Sequence, residues 1–169
     1  MPMKKALIVI DVQNEYFPGG KLELWDLDRT LKNTIAHIET ARNEGTPVIL
    51  IQHEYENEAP FFQKDSEGAK IHGKVLAAAG QDTPIIKKSF ADSFHQTNLS
   101  EVLKEFKAEH LLICGMMTQN CVAFTSLSPE TQNFSKVTVL GDACTTFNEL
   151  THSLALDGLS TSREVVSES

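Results

Sequence analysis

This sequence has no long hydrophobic run, no excess of basic charge and few cysteines, and each shortage closes off a class of function. Its uninterrupted apolar stretches, such as residues 6–10 and 48–51, are far shorter than the roughly 20 residues that a membrane-spanning helix needs. No membrane partner is therefore expected. Lys4 and Lys5 lead straight into the first of these stretches and Asp11 closes it, which does not resemble an export signal and suggests a cytoplasmic protein. With 15 Lys plus Arg against 23 Asp plus Glu the formal net charge is -8, which argues against nucleic acid as a partner. The three cysteines, at 114, 121 and 144, are an odd number, so at least one thiol is unpaired. A chain of 169 residues buries a core large enough to do without disulfides, and such cysteines fit a reducing compartment. Internal repeats and low-complexity segments are also missing, and 41% of residues are hydrophobic, so one globular domain over 1–169 is expected.

What is present alternates. Continuous apolar, β-branched runs occur at 6–10, 48–51, 84–86, 111–114 and 137–140, with a weaker one at 165–166, and such runs suit strands covered on both faces. Between them lie segments of helical period, among them Leu31, Ile35, Ile38 and Val102, Leu103, Phe106. Strands alternating with helices predict a three-layer α/β/α, doubly wound, Rossmann-like domain with a mostly parallel six-stranded sheet. Asn43-Glu44-Gly45 reads as a helix end, and Ser100 as the cap of the next helix. Residues 54–82, polar and carrying Pro60, Gly68, Gly73 and Gly80, form a connection long enough to shape a pocket.

In such a sheet the ligand crevice lies outside the carboxyl ends of the strands. Asp11, His53, Lys87, Lys88, Cys121 and Asp142 all fall at or just beyond such ends. Cys121 follows the break at Gly115 by six residues, at a strand-to-helix junction, where a helix start lowers a thiol's pKa toward neutrality. A carboxylate able to take the thiol proton, a lysine to hold both anions and a cysteine to attack a carbonyl make a nucleophilic set. Each residue also has a plainer reading: a buried small apolar group for Cys121, a turn residue for Asp11, a solvated pair for Lys87 and Lys88.

Four segments carry a resemblance. Ile8-Val9-Ile10-Asp11-Val12-Gln13-Asn14-Glu15-Tyr16-Phe17-Pro18-Gly19-Gly20 resembles the opening motif of the isochorismatase-like cysteine hydrolases, a family that includes nicotinamidases and other small-amide hydrolases. Lys88-Ser89-Phe90-Ala91-Asp92-Ser93-Phe94 is similar to its middle motif, Gly115-Met116-Met117-Thr118-Gln119-Asn120-Cys121-Val122 to its nucleophile motif, and Gly141-Asp142-Ala143-Cys144 to its fourth landmark. The resemblance implies strand order 3-2-1-4-5-6, with Asp11 as general base, Lys88 rather than Lys87 as cationic partner and Cys121 as nucleophile. It further implies a cis peptide between Met116 and Met117, an oxyanion hole from the Met117 and Cys121 backbone N–H groups, and a homodimer or homotetramer. Phe17, Gln13 and Phe94 are the substrate contacts expected from these motifs, while Trp25, Phe61, Phe62 and Phe90 are further candidates for a pocket wall.

Departures narrow the activity. Nicotinamidases carry an Asp-x-His metal motif after the second strand, where this chain has Gln52-His53-Glu54-Tyr55. His53 and His72, 19 residues apart, are read as loop histidines, so no metal or other cofactor is expected. Members that cleave the vinyl ether of isochorismate lack a cysteine nucleophile, so Cys121 points to hydrolysis of a C–N bond in a small molecule. A vinyl ether hydrolase and a redox-active or silent binding protein on the same fold are the alternatives. Pro129 falls within what the family makes a continuous helix and predicts a kink or early stop; the short C-terminal tail, 163–169, predicts a short sixth strand.

Overall fold

A computed structural model describes residues 2–167. Six strands, β1 (Lys5–Ile10), β2 (Val48–His53), β3 (Ile85–Lys88), β4 (His110–Met116), β5 (Lys136–Thr145) and β6 (Glu164–Val166), form one sheet in the order β3-β2-β1-β4-β5-β6. Every pairing is parallel. The central strands are apolar because both faces are covered: Ala6, Leu7, Ile8, Ile10, Ile49, Leu111 and Ile113 are fully buried.

Helix α1 (Leu27–Asn43) buries Leu27, Thr30, Thr34, Ile38 and Ala41, a three-to-four-residue spacing that makes one inward stripe. The chain leaves it through Glu44 and a left-handed Gly45, the end expected from the sequence. Helix α3 (Leu99–Glu105) begins differently from that expectation. Asn98 occupies the cap position and Ser100 lies inside the helix, while the Thr97 hydroxyl accepts from the Leu99 N–H at 3.2 Å. The nearby hydroxyl of Thr97 reaches the open N–H groups first.

The long connection after β2 contains a seven-residue helix, α2 (Gly73–Ala79). Its first half is tied to a 3-10 turn at Asn14–Tyr16 by Asn14 N–H to Lys70 O (2.9 Å) and Glu15 N–H to Gly68 O (2.8 Å). The Glu15 carboxylate is buried there and accepts the N–H groups of Phe62 and Lys21.

After β4 a π-helical turn, Thr118–Val122, runs into α4 (Ala123–Ser126), which stops after four residues. Pro129 then opens a 3-10 turn, Pro129–Asn133, with Ser128 as its cap; the early stop expected from this proline is present. α5 (Glu149–Ser160) packs on the turn that carries Cys121. β5 is longer than its apolar core suggests, because its register slips against β4 between Ile113 and Gly115. Asp142 therefore lies within the strand rather than beyond it, and its side chain turns toward α1. β6 is three residues long, as the tail suggested; residues 168–169 of that tail lie outside the described residues.

Candidate active site

Three strand ends meet around one ammonium. Gly115, at φ +127, makes this possible: a Cβ there would lie 2.0 Å from the Ile10 carbonyl oxygen, so only glycine lets β4 press against the end of β1. Asp11 then leaves β1 at φ 54, a left-handed conformation that aspartate tolerates. Its N–H donates to Ile51 and its carbonyl accepts from Gln13, so the turn is held on both sides.

Lys88 ends β3 with its side chain wholly buried. Its Nζ donates to His53 Nδ1 (2.9 Å), Phe90 O (2.9 Å) and Cys121 Sγ (3.3 Å). Asp11 Oδ2 is 3.0 Å away, an ion contact outside hydrogen-bond geometry, and neither Asp11 oxygen has a hydrogen-bond partner among the described residues. Burial disfavours the ammonium, but Asp11 and Cys121 outweigh it and hold the lysine pKa above its ordinary value. Lys87, the neighbouring candidate, points the other way along the strand, is mostly exposed and faces Glu54 at 3.5 Å.

Cys121 sits in the π-helical turn, which closes with Val122 N–H on Met117 O at 3.2 Å. The Met116–Met117 peptide before it is cis. Burial, followed by the Asp11 charge, pushes the thiol well above its ordinary pKa, with Lys88 pulling the other way. This reverses the expectation of a thiol lowered toward neutrality. The helix behind Cys121 has only four residues, and desolvation outweighs the dipole of so short an element.

Asp11, His53 and Cys121 each present a possible ligand atom within 4.8 Å of the others. The Lys88 ammonium, in contact with all three, fills the place a metal ion would take. This arrangement does not fit a resident metal. His72 lies elsewhere, with its ring 4.5 Å from that of Phe17. Both line a cleft of about 1040 Å³ between residues 14–31 and 66–74, which includes none of Asp11, Lys88 and Cys121.

Gln13, expected as a substrate contact, is fully buried, and its amide is spent on the backbone: Nε2 donates to His53 O (2.8 Å) and Ala69 O (2.7 Å), and Oε1 accepts from His53 N–H (2.9 Å). Phe94 is buried near Phe134, whereas Phe61 and Phe90 are exposed and Trp25 packs on His152. Of the pocket-wall candidates, Phe62 reaches the site: its ring lies 5.4 Å from His53 and 5.1 Å from Tyr16. The Tyr55 ring also lies against His53, at 4.7 Å. Burial, then the charges of Asp11 and Cys121, raises the Tyr16 hydroxyl pKa, so that hydroxyl belongs to the same electrostatic environment. Sequence reasoning missed Tyr16 and the link from His53 to Lys88. The signals available were the position of Tyr16 in the opening motif and of His53 at a strand end.

An isochorismatase domain model matches residues 5–169. The chain belongs to the isochorismatase family. The uncharacterized isochorismatase family protein YddQ of Bacillus subtilis is 37% identical over 145 residues, which span 85% of this chain and 79% of that protein. An isochorismatase-family structure from Oleispira antarctica superposes with a TM-score of 0.89 at 31% identity, covering 99% of this chain and 95% of that one. The ureidoacrylate amidohydrolase RutB of Cronobacter turicensis is 28% identical over 73% of this chain and 67% of its own length. Nicotinamidase PncA of Bacillus subtilis shares the fold, with a TM-score of 0.87 at 21% identity over 97% of this chain and 99% of its own. In this isochorismatase-family chain, no helix among the described residues is long and apolar enough to cross a membrane.

Proposed function

We propose that this isochorismatase-family hydrolase cleaves the C–N bond of a small amide through a thioester on Cys121, with Asp11 as base and Lys88 as the cation between them. The observation that carries this reading is the Lys88 ammonium, 3.3 Å from the Cys121 sulfur and 3.0 Å from an Asp11 carboxylate that has no hydrogen-bond partner among the described residues. A buried, protonated thiol needs a base beside it, and an unpartnered carboxylate is one. The names of two relatives, an amidohydrolase and a nicotinamidase, agree with C–N hydrolysis.

In the proposed sequence Asp11 takes the thiol proton as sulfur adds to the amide carbonyl. The backbone N–H groups of Met117 and Cys121 receive the oxyanion, a role in which one donor is worth about 3 to 4 kcal/mol in a protease. The C–N bond breaks, and Asp11 returns its proton to the departing ammonia or amine. Water then gives a proton to Asp11 and adds to the thioester. Collapse releases the acid, and the proton goes back to sulfur. Lys88 stays charged throughout. Tyr16, Tyr55 and Phe62 supply an apolar wall suited to a flat or aliphatic acyl group, while Gln13 acts from behind the site.

Ammonia release from a panel of small carboxamides, nicotinamide among them, tests this reading. Turnover by the wild type that survives a chelator and vanishes in Cys121→Ala is the expected result; turnover unchanged in Cys121→Ala overturns it.

A further inference from the structure

We propose that His53 is a positioning residue for Lys88, drawing one ammonium N–H away from Asp11 so that the carboxylate stays free as a base, and that Gln13 holds His53 in place for this. The inference rests on the mechanism proposed above and deepens it.

An ammonium has three N–H donors and no acceptor. Four acceptors surround Lys88 Nζ within 3.3 Å, namely His53 Nδ1, Phe90 O, Cys121 Sγ and Asp11 Oδ2. The three hydrogen bonds go to the first three. Asp11, the only carboxylate among them, is in ion contact at 3.0 Å and accepts no hydrogen bond among the described residues. That distribution is unusual, because an ammonium ordinarily gives its strongest hydrogen bond to a carboxylate. If Asp11 received that bond, its oxygen would be less able to accept the thiol proton. His53 prevents this by taking the donor.

To accept from Lys88, Nδ1 must be unprotonated, which puts the ring proton on Nε2. The surroundings keep the ring neutral: burial, then the Lys88 charge, lowers the His53 pKa to about 4, against the opposing effect of Asp11 at 3.8 Å. The other titratable neighbours near the ring are Cys121 and Tyr55. The His53 ring packs against Tyr55 and Phe62, and its backbone N–H and carbonyl are both held by the Gln13 amide. A ring needed only for packing would not require this two-point hold on its peptide groups together with a bond to the buried cation. Gln13 thus reaches the site through His53, which is why a glutamine in the opening motif lies wholly buried behind it.

The test is the pH dependence of Cys121 alkylation by iodoacetamide, read by peptide mass spectrometry so that Cys114 and Cys144 are scored separately. It needs no substrate, so a failed amide screen does not affect it. His53→Leu, which keeps the approximate bulk and loses the acceptor, is expected to slow alkylation roughly tenfold at neutral pH, the effect of raising the thiol inflection by about one unit. His53→Asn, whose amide oxygen can stand near the Nδ1 position, is expected to restore the wild-type profile. Gln13→Met is expected to shift the profile in the same direction as His53→Leu, by less. Equal slowing by His53→Leu and His53→Asn overturns the proposal, as does no slowing by His53→Leu. Should His53→Leu fail to fold by circular dichroism, an unchanged profile in Gln13→Met overturns it.

Discussion

Asp11 and Asp142 look alike in the sequence, each following an apolar run, and both are buried beside a histidine; the structure gives them opposite fates. Asp142 has both carboxylate oxygens on His37 Nε2, at 3.0 and 3.1 Å, and its backbone carbonyl accepts from Arg29 and Asn33 of the same helix. It is a fully satisfied clamp between β5 and α1. Asp11 has a histidine 3.8 Å away that bonds to Lys88 instead, and its own oxygens accept no hydrogen bond among the described residues and have only the Lys88 ammonium in ion contact at 3.0 Å. Buried polar groups are nearly always hydrogen-bonded, and Asp11 is the one carboxylate among the few buried side chains that lack such a partner among the described residues. The contrast teaches that burial and a strand-end position do not tell two acids apart; their hydrogen-bond satisfaction does.

Exchanging each carboxylate for an amide should separate the two most sharply. Asp11→Asn is expected to cut kcat by about 10²- to 10⁴-fold, the usual worth of a general base, and also to lower thermal stability, because the buried Lys88 ammonium loses its countercharge. Asp142→Asn should leave kcat within about twofold and cost about 1 to 3 kcal/mol of stability through its bond to His37. Steady-state kinetics and denaturant melts on both variants check this, and matching losses of activity would erase the distinction.

The lysines form a parallel pair. Lys88→Met removes the cation from between Asp11 and Cys121, and kcat/KM is expected to fall by more than about 10²-fold. Lys87→Met removes a mostly exposed contact to Glu54 and should change stability by less than about 1 kcal/mol, with kinetics unaltered.

The histidine beside Asp11 offers a finer test. Its folded pKa of about 4 lies below the ordinary 6.5. As pH falls below 6.5, the unfolded chain takes up a proton that the folded one refuses, so this stability is complete above 6.5 and is lost on descending toward 4. Up to about 3 kcal/mol is at stake. Chemical melts at pH 7 and pH 4.5 should show a steeper loss for the wild type than for His53→Asn; equal slopes would mean that His53 protonates freely in the fold.

Much of this was legible in the sequence. All six strands overlap the apolar runs, and the four central ones are nearly continuous because a parallel strand covered on both faces has no room for alternation, whereas the edge strand β3 alternates exposed and buried residues. The family motifs bring out Asp11, Lys88 and Cys121, which the fold carries to a single point. Asp142 was misread as a crevice residue because a slip in the β4–β5 register is invisible in a string of residues. The thiol's environment was misread for a related reason. Pro129 signalled a short helix, but the depth of burial at Cys121 depends on α5, which follows it by nearly thirty residues.

By itself, then, the sequence determined the order and kind of the elements, which follow from side-chain polarity and local spacing, and through its resemblance to a family it pointed to Asp11, Lys88 and Cys121 among the groups at the strand ends. Only the tertiary structure decided which acid is satisfied and which is free, and that His53, held by Gln13, shares the ammonium. Those outcomes depend on hydrogen-bond directions among groups 33 to 40 residues apart or more, and such directions exist only once the strands are in register.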